Sequence, residues 1–146
     1  MRKLCRCAAV LLAALAAACL LVLPQALDKN LLFDGAENYI FYTHSESSNA
    51  EITLASAEDA ARVKLFLCGV TGESARYECA ADAFAQAEKY GARLQFSESA
   101  GGVVNYYYYS PRLSGGVRVC GYTVNLHVAV RGGGACIGSP VIFGGY

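Results

Sequence analysis

Side chains capable of chemistry are concentrated on one alternating segment, residues 122–131. Its even-numbered positions are apolar or aromatic, and the positions between them include Asn125, His127 and Arg131. Successive side chains of a β-strand point to opposite faces, so these three share one face. An amide, an imidazole and a guanidinium supply hydrogen-bond donors, acceptors and a fixed positive charge. The segment is therefore suited to binding a polar ligand.

A tyrosine-rich segment supplies flat apolar area for the same ligand. Residues 106–109 are four consecutive tyrosines, so a strand here presents phenol rings on both faces. The outward set is either Tyr107 and Tyr109 or Tyr106 and Tyr108. We predict a ligand-binding face composed of Asn105, Tyr107, Tyr109, Asn125, His127 and Arg131. Aromatic area with polar tips is typical of peptide or glycan recognition. The alternative is that the tyrosines only complete a two-sided sheet, covered by segment 38–43.

The usual catalytic motifs are missing from the sequence. No serine lies in a G-x-S-x-G motif. The glycines at 132–134 follow a predicted strand but precede no predicted helix, which indicates a turn and not a phosphate-binding loop. The two histidines form no H-E-x-x-H motif. We predict no catalytic residues, no metal site and no cofactor.

Four cysteines lie beyond the apolar N-terminal segment, at Cys68, Cys79, Cys120 and Cys136. Their separations of 11, 41 and 16 residues match no zinc-binding pattern. In an exported domain, four cysteines allow three disulfide pairings. A sequence that is 55% apolar can form a core without disulfides. We predict that these cysteines are mostly reduced or only partly paired and serve as small buried apolar residues.

The first 26 residues have the layout of an export signal. Three basic residues within the first six positions precede the uncharged run Cys7–Leu23, which has 17 residues. As a helix, this run spans about 25 Å, near the lower limit for crossing a hydrocarbon core of about 30 Å. Residues 1–26 are thus predicted to be a signal peptide or an N-terminal membrane anchor. Residues 27–146 are predicted to form a single extracytoplasmic domain whose membrane contact is limited to the N-terminal segment.

The charge of the predicted domain argues against a nucleic-acid partner. The chain has 12 basic and 12 acidic residues. Removal of the predicted leader, residues 1–26, removes Arg2, Lys3 and Arg6 and leaves 12 − 3 = 9 basic residues. The domain then carries 9 − 12 = −3 when both histidines are neutral. Proteins that bind duplex DNA need an excess of Lys and Arg to displace counterions.

Two periodicities predict the elements that position these residues. Strands are predicted at 38–43, 50–54, 74–79, 93–97, 103–109, 117–119 and 122–131, and helices at 57–68 and 80–90. The first helix follows the capping pattern Ser56-x-x-Asp59, and the helices end at Gly69 and Gly91. A parity change at Gly121 predicts a bulge or a tight turn. This order predicts an α+β fold in which an antiparallel-rich sheet carries two helices on one face.

The core is predicted to join the apolar face of the last long strand to both helices. It should contain Val124, Leu126, Val128 and Val130 packed against Val63, Leu67, Phe84 and Ala87. Apolar stripes with periods of 2 and 3.6 residues must bury against each other.

Five segments carry a family resemblance: 72–74 (GES), 90–92 (YGA), 102–113 (GVVNYYYYSPRL), 124–131 (VNLHVAVR) and 138–143 (GSPVIF). They resemble the YwmB-type proteins, exported proteins of Gram-positive bacteria whose fold is labelled TATA-box-binding-like. The resemblance spans about residues 38–146 and implies a curved antiparallel sheet backed by helices. Family members tend to be longer than this chain. None of the segments is a catalytic motif, so the resemblance assigns no functional residues and no nucleic-acid binding.

Two function hypotheses follow. The first is an extracytoplasmic binding or accessory domain that contacts an envelope protein, a peptide or a glycan through the sheet face opposite the helices. The second is a small enzyme in which His127 acts with a cysteine or a carboxylate brought close by folding. A cleft around His127 would favour the enzyme, and a flat face would favour the binding domain.

Overall fold

The computed structural model describes residues 10–17, 29–44 and 51–143. The chain divides into two units, Met1–Asn30 and Leu31–Tyr146. In the first unit, a helix (α1) covers residues 10–17, inside the predicted leader, and the rest of the predicted apolar run lies outside the described residues. Within the described ranges, no helix has the length and hydropathy needed to cross a membrane.

The second unit contains nine strands and two helices among its described residues. They are β1 (Asn38–Thr43), β2 (Glu51–Ser56), α2 (Ala60–Phe66), β3 (Val70–Tyr77), α3 (Ala80–Lys89), β4 (Arg93–Ala100), β5 (Val103–Tyr109), β6 (Val117–Val119), β7 (Tyr122–Val124), β8 (Leu126–Arg131) and β9 (Gly134–Ser139). Seven strands form an antiparallel sheet in the order β2-β1-β3-β9-β8-β5-β4, and β6 pairs with β7. The predicted α+β class with a large antiparallel sheet is confirmed.

The core lies between the sheet and the two helices, on the face bearing Tyr39, Ala75, Ile137, Val128 and Tyr106. These residues are direct neighbours across five adjacent strands. Seven of the eight predicted core residues are confirmed: Leu126, Val128 and Ala87 are buried in the core, and Val63, Leu67, Phe84 and Val130 pack against it. Val124 is also completely buried, but it lies on β7 and does not belong to this core cluster. Phe84 meets Tyr106 edge-on, with ring centroids 5.2 Å apart.

Helix α3 ends through the glycine that the sequence indicated. Gly91 adopts a positive φ of 59°, and its N–H donates to the carbonyl of Glu88. The N–H of Ala92 donates to the carbonyl of Ala87. This pair of bonds is a Schellman motif, which satisfies carbonyls that the helix leaves without partners.

Helix α2 is shorter than predicted and begins later. Its N-cap is Asp59, and it covers Ala60–Phe66 instead of 57–68. Ser56 does not cap a backbone N–H; its hydroxyl lies 3.4 Å from an Asp59 carboxylate oxygen. The short helix directs Lys64 into the interior, where Nζ lies 2.6 Å from Oε2 of Glu73 on β3.

The predicted long strand 122–131 is divided at Asn125, which is completely buried. Its side-chain amide donates to the carbonyls of Ser110 and Leu113, and its Oδ1 accepts from the N–H of Ser110. The residue thus anchors the loop after β5, while β7 leaves the main sheet to pair with β6. The tight turn expected at Gly121 is present, because Cys120 and Gly121 both have positive φ between β6 and β7.

The four cysteines are free thiols. Cys68, Cys79 and Cys120 are exposed, and Cys136 is half-buried. The prediction that they serve as buried apolar residues is therefore wrong for three of them, because they lie in or beside loops and turns, not on the core face.

Candidate functional site

The candidate site lies on the outer face, which we define as the face of the seven-stranded sheet opposite α2 and α3. Strand parity settles which tyrosines belong to it. Tyr106 and Tyr108 point toward the helices and pack against the core. Tyr107 pairs directly with His127, so the two share the outer face. The arrangement with Tyr106 and Tyr108 outward is wrong.

Three of the predicted residues are in contact at the centre of this face. The rings of Tyr107 and His127 stack with centroids 4.5 Å apart and planes 9° apart. Nε2 of His127 lies 3.0 Å from Oδ1 of Asn105. Asn105 and His127 are buried, at 6% and 2% exposure. The expectation that these two side chains stand on an accessible face is therefore wrong.

The segment after β9 contributes to the burial of His127. Residues 140–143 return over the outer face, and the N–H of Ile142 donates to Nδ1 of His127 at 3.3 Å. Gly138 makes the approach possible, because a Cβ there would lie 2.8 Å from the Ile142 side chain. Phe143 meets Tyr42 of β1 edge-on at 5.2 Å. The predicted cover, segment 38–43, is instead strand β1 within the sheet.

These contacts determine the chemical state of His127. Since Nδ1 accepts a hydrogen bond, the proton of the neutral ring resides on Nε2, which donates to Asn105. Burial lowers the pKa of His127 to about 4, and the negative charge of Glu98 only partly opposes this. At neutral pH the ring is uncharged and held from both nitrogens. His127 lies neither in a cleft nor on an open flat face, because it is buried beneath the surface of the sheet. This position favours a structural role for His127.

An aromatic stack continues from His127 toward the sheet edge. The ring centroids of Phe96 on β4 and Tyr107 are 4.4 Å apart, and those of Phe96 and Tyr122 on β7 are 5.5 Å apart. The Tyr107 hydroxyl donates to Glu98 at 2.8 Å. Phe96 and Tyr107 are half-buried, and Tyr122 is exposed. The stack therefore offers ring edges and faces to a ligand at the β4 side of the outer face.

The other predicted residues separate. Tyr109 is exposed at the end of β5. Asn125 binds the loop at 110–113 and does not reach the outer face. Arg131 is exposed at the end of β8 and has a different neighbourhood, formed with β3 and β9.

That neighbourhood is a shallow depression of about 280 Å³. It is lined by Arg76, Ala129, Arg131, Gly134, Ala135 and Cys136. Arg76 pairs with Cys136, and Cys136 pairs with Ala129, so one row of residues crosses the floor on three strands. Arg76 and Arg131 thus stand on the two strands that flank β9.

Sequence reasoning missed Arg76 and Cys136 as parts of a site. The alternation of Ser74, Arg76 and Glu78 does assign Arg76 to the polar face of its strand. What it cannot show is that β9 would insert between β3 and β8, because β9 pairs with residues of β3 that lie 58 to 66 positions earlier in the chain. Burial raises the pKa of the Cys136 thiol, and the nearby Arg76 guanidinium partly offsets this effect. The thiol is therefore protonated at neutral pH.

Comparison of the chain with protein-family models, curated proteins and solved structures gives no match. The site must be interpreted from its own chemistry. Among the described residues, no group of three or more His, Cys, Asp or Glu side chains could hold a metal ion. The outer face instead offers guanidinium groups at one end and aromatic rings at the other, which are binding groups.

Proposed function

We propose that this protein is an extracytoplasmic binding or accessory domain of the YwmB type, with a TATA-box-binding-like sheet, that contacts a cell-envelope component through its outer face. Residues 1–26 direct export or anchor the chain. The partner is an envelope protein, a peptide or a glycan.

One observation carries this proposal: the uncovered parts of the outer face bear two arginines and an aromatic stack. Arg76 and Arg131 make no ion pair with any described carboxylate, whereas Arg62, Lys64 and Lys89 each do. Phe96 and Tyr107 add apolar area on the opposite side of His127. Arginine and aromatic residues are enriched where proteins bind partners.

The state of His127 favours binding over catalysis. A general base must reach the proton that it abstracts, and its pKa works best near the operating pH. His127 is buried, it is held by Asn105 and Ile142, and its pKa is lowered to about 4. These features favour a structural histidine that holds residues 140–143 against the sheet.

Co-sedimentation with an isolated envelope fraction tests the proposal. The full chain, purified in a neutral detergent, should sediment with that fraction, and Phe96→Ser or Arg131→Glu should weaken the association. Arg118→Glu on β6 changes the same charge outside the outer face and is the matched control. Equal association of all four proteins, or none for the wild type, would contradict the proposal.

Export is tested separately. A reporter enzyme that is active only outside the cytoplasm should gain activity when it is fused to residues 1–30. Replacement of the three leader cations by Glu should abolish that activity. An inactive wild-type fusion would place the proposed site of action in the wrong compartment.

A further inference from the structure

The depression between Arg76 and Arg131 has the geometry of a small anion site. The arginines belong to β3 and β8, and β9 lies between them. Neighbouring strands are about 4.8 Å apart, and Arg131 lies opposite Gly134, two residues along β9 from Cys136, which is the partner of Arg76. The Cα atoms of the two arginines are therefore about 12 Å apart. An arginine side chain is long enough for two guanidinium groups at this spacing to approach one ligand group from opposite sides.

The floor of the depression leaves room for such a group. It consists of Ala129, Gly134 and Cys136, which have short side chains, and the space is about 280 Å³. No acidic residue lines it. Because the Cys136 thiol is protonated at neutral pH, the floor adds no negative charge.

The charge pattern of the domain makes this depression distinctive. The predicted domain carries −3, yet Arg76 and Arg131 stand together without a carboxylate partner among the described residues. Unneutralised guanidinium groups in a concave site attract anions. Each can form two parallel hydrogen bonds to a carboxylate or a phosphate, which a single ammonium cannot do.

We infer that Arg76 and Arg131 together bind one anionic oxygen group, a carboxylate or a phosphate, of the ligand. The inference rests on the proposed function, because it names the chemistry of the group that the outer face recognises.

Calorimetric titration of the full chain with pyrophosphate and with citrate tests this inference. We expect binding that weakens as NaCl is raised, since exposed charges are screened by salt. Arg76→Gln and Arg131→Gln should each weaken it about tenfold, and the double variant should abolish it. Arg118→Gln is the matched control and should bind as the wild type does. Tighter binding of pyrophosphate identifies a phosphate ligand, and tighter binding of citrate identifies a carboxylate.

Failure to bind either anion at 10 mM (roughly the millimolar limit of weak binding) would overturn the inference. Binding that persists in the double variant would also overturn it. Should that variant unfold, the variant with Arg76→Lys and Arg131→Lys replaces it, since lysine keeps the charge and lacks the planar guanidinium. Weaker binding than the wild type then supports the inference, and equal binding contradicts it. If the protein associated with the envelope fraction through Phe96 but bound neither anion, the inference would be wrong and the proposed function would still be supported.

Discussion

Tyr107 and His127 lie directly opposite each other on β5 and β8, and their rings stack almost in parallel at 4.5 Å. This pair links the two halves of the outer face. On one side, the stack extends to Phe96 on β4. On the other side, Nδ1 of His127 accepts a hydrogen bond from the N–H of Ile142, which holds the segment after β9 against the sheet.

The state of His127 predicts a loss of stability in mild acid. Its pKa is about 4 in the folded protein and near 6.5 in the unfolded chain, so between these values the unfolded chain binds more protons. The contribution of His127 to stability is therefore fully present above pH 6.5 and is lost as the pH falls toward 4. The total effect is on the order of 3 kcal/mol, at about 1.4 kcal/mol per pKa unit.

Urea unfolding at several pH values measures this effect. The His127→Phe variant keeps an aromatic ring and removes the titration, so its stability should fall less between pH 6.5 and 4. His44→Ala, at an exposed histidine, is the control and should keep the wild-type slope. Identical slopes for all three proteins would show that the pKa of His127 is the same in the folded and the unfolded chain, which would contradict the prediction.

The sequence predicts the elements of this fold better than it predicts the site. Strands β1, β5 and β6 have the predicted bounds, because runs of aromatic and β-branched residues favour extended backbone wherever they are placed. Parity within a strand is also local, and it correctly groups Tyr107 with Asn105. Burial is not local. His127 and Asn125 alternate with apolar residues as exposed polar side chains do, but in the fold Ile142 contacts His127 and the loop at 110–113 contacts Asn125.

The core assignment predicts a large cost for truncating Leu126. This side chain is completely buried beneath the helices. Leu126→Ala should lower the free energy of unfolding by about 2–5 kcal/mol, through lost apolar burial and the cavity that remains. Leu54→Ala on edge strand β2, where the side chain is 72% exposed, should change it by less than about 0.5 kcal/mol. Chemical denaturation compares the two, and a similar cost for both would place Leu126 outside the core.

Thiol labelling should separate the cysteines into two classes. Cys68, Cys79 and Cys120 are exposed, whereas Cys136 is half-buried and its pKa is raised by burial. The thiolate is the nucleophile, so a maleimide at pH 7 should modify Cys136 last. Mass spectrometry at successive times gives the order, with Cys136→Ser identifying the slow site. Resistance of all four of these cysteines to labelling until a reductant is added would reveal two complete disulfides and contradict the predicted state.

The buried ion pair between Lys64 and Glu73 predicts a strong asymmetry between single and double substitutions. Nζ and Oε2 are 2.6 Å apart, both side chains are buried, and Oε1 of Glu73 accepts the backbone N–H groups of Leu32 and Phe33. Lys64→Met leaves an uncompensated buried carboxylate and should cost about 3–5 kcal/mol in the free energy of unfolding. Adding Glu73→Gln removes that charge and retains an oxygen for the two N–H groups.

The double variant should therefore recover part of the stability that Lys64→Met loses. The exposed pair Arg62–Asp59 is the control, and Arg62→Met should cost less than about 1 kcal/mol because water already solvates both groups. Urea titrations of the four proteins measure these differences. If Lys64→Met cost no more than Arg62→Met, water would have to reach Glu73, and the segment at residues 31–37 could not pack over it as the structure shows. If the double variant were less stable than Lys64→Met, the carboxylate would be needed for the backbone of Leu32 and Phe33 more than for the lysine.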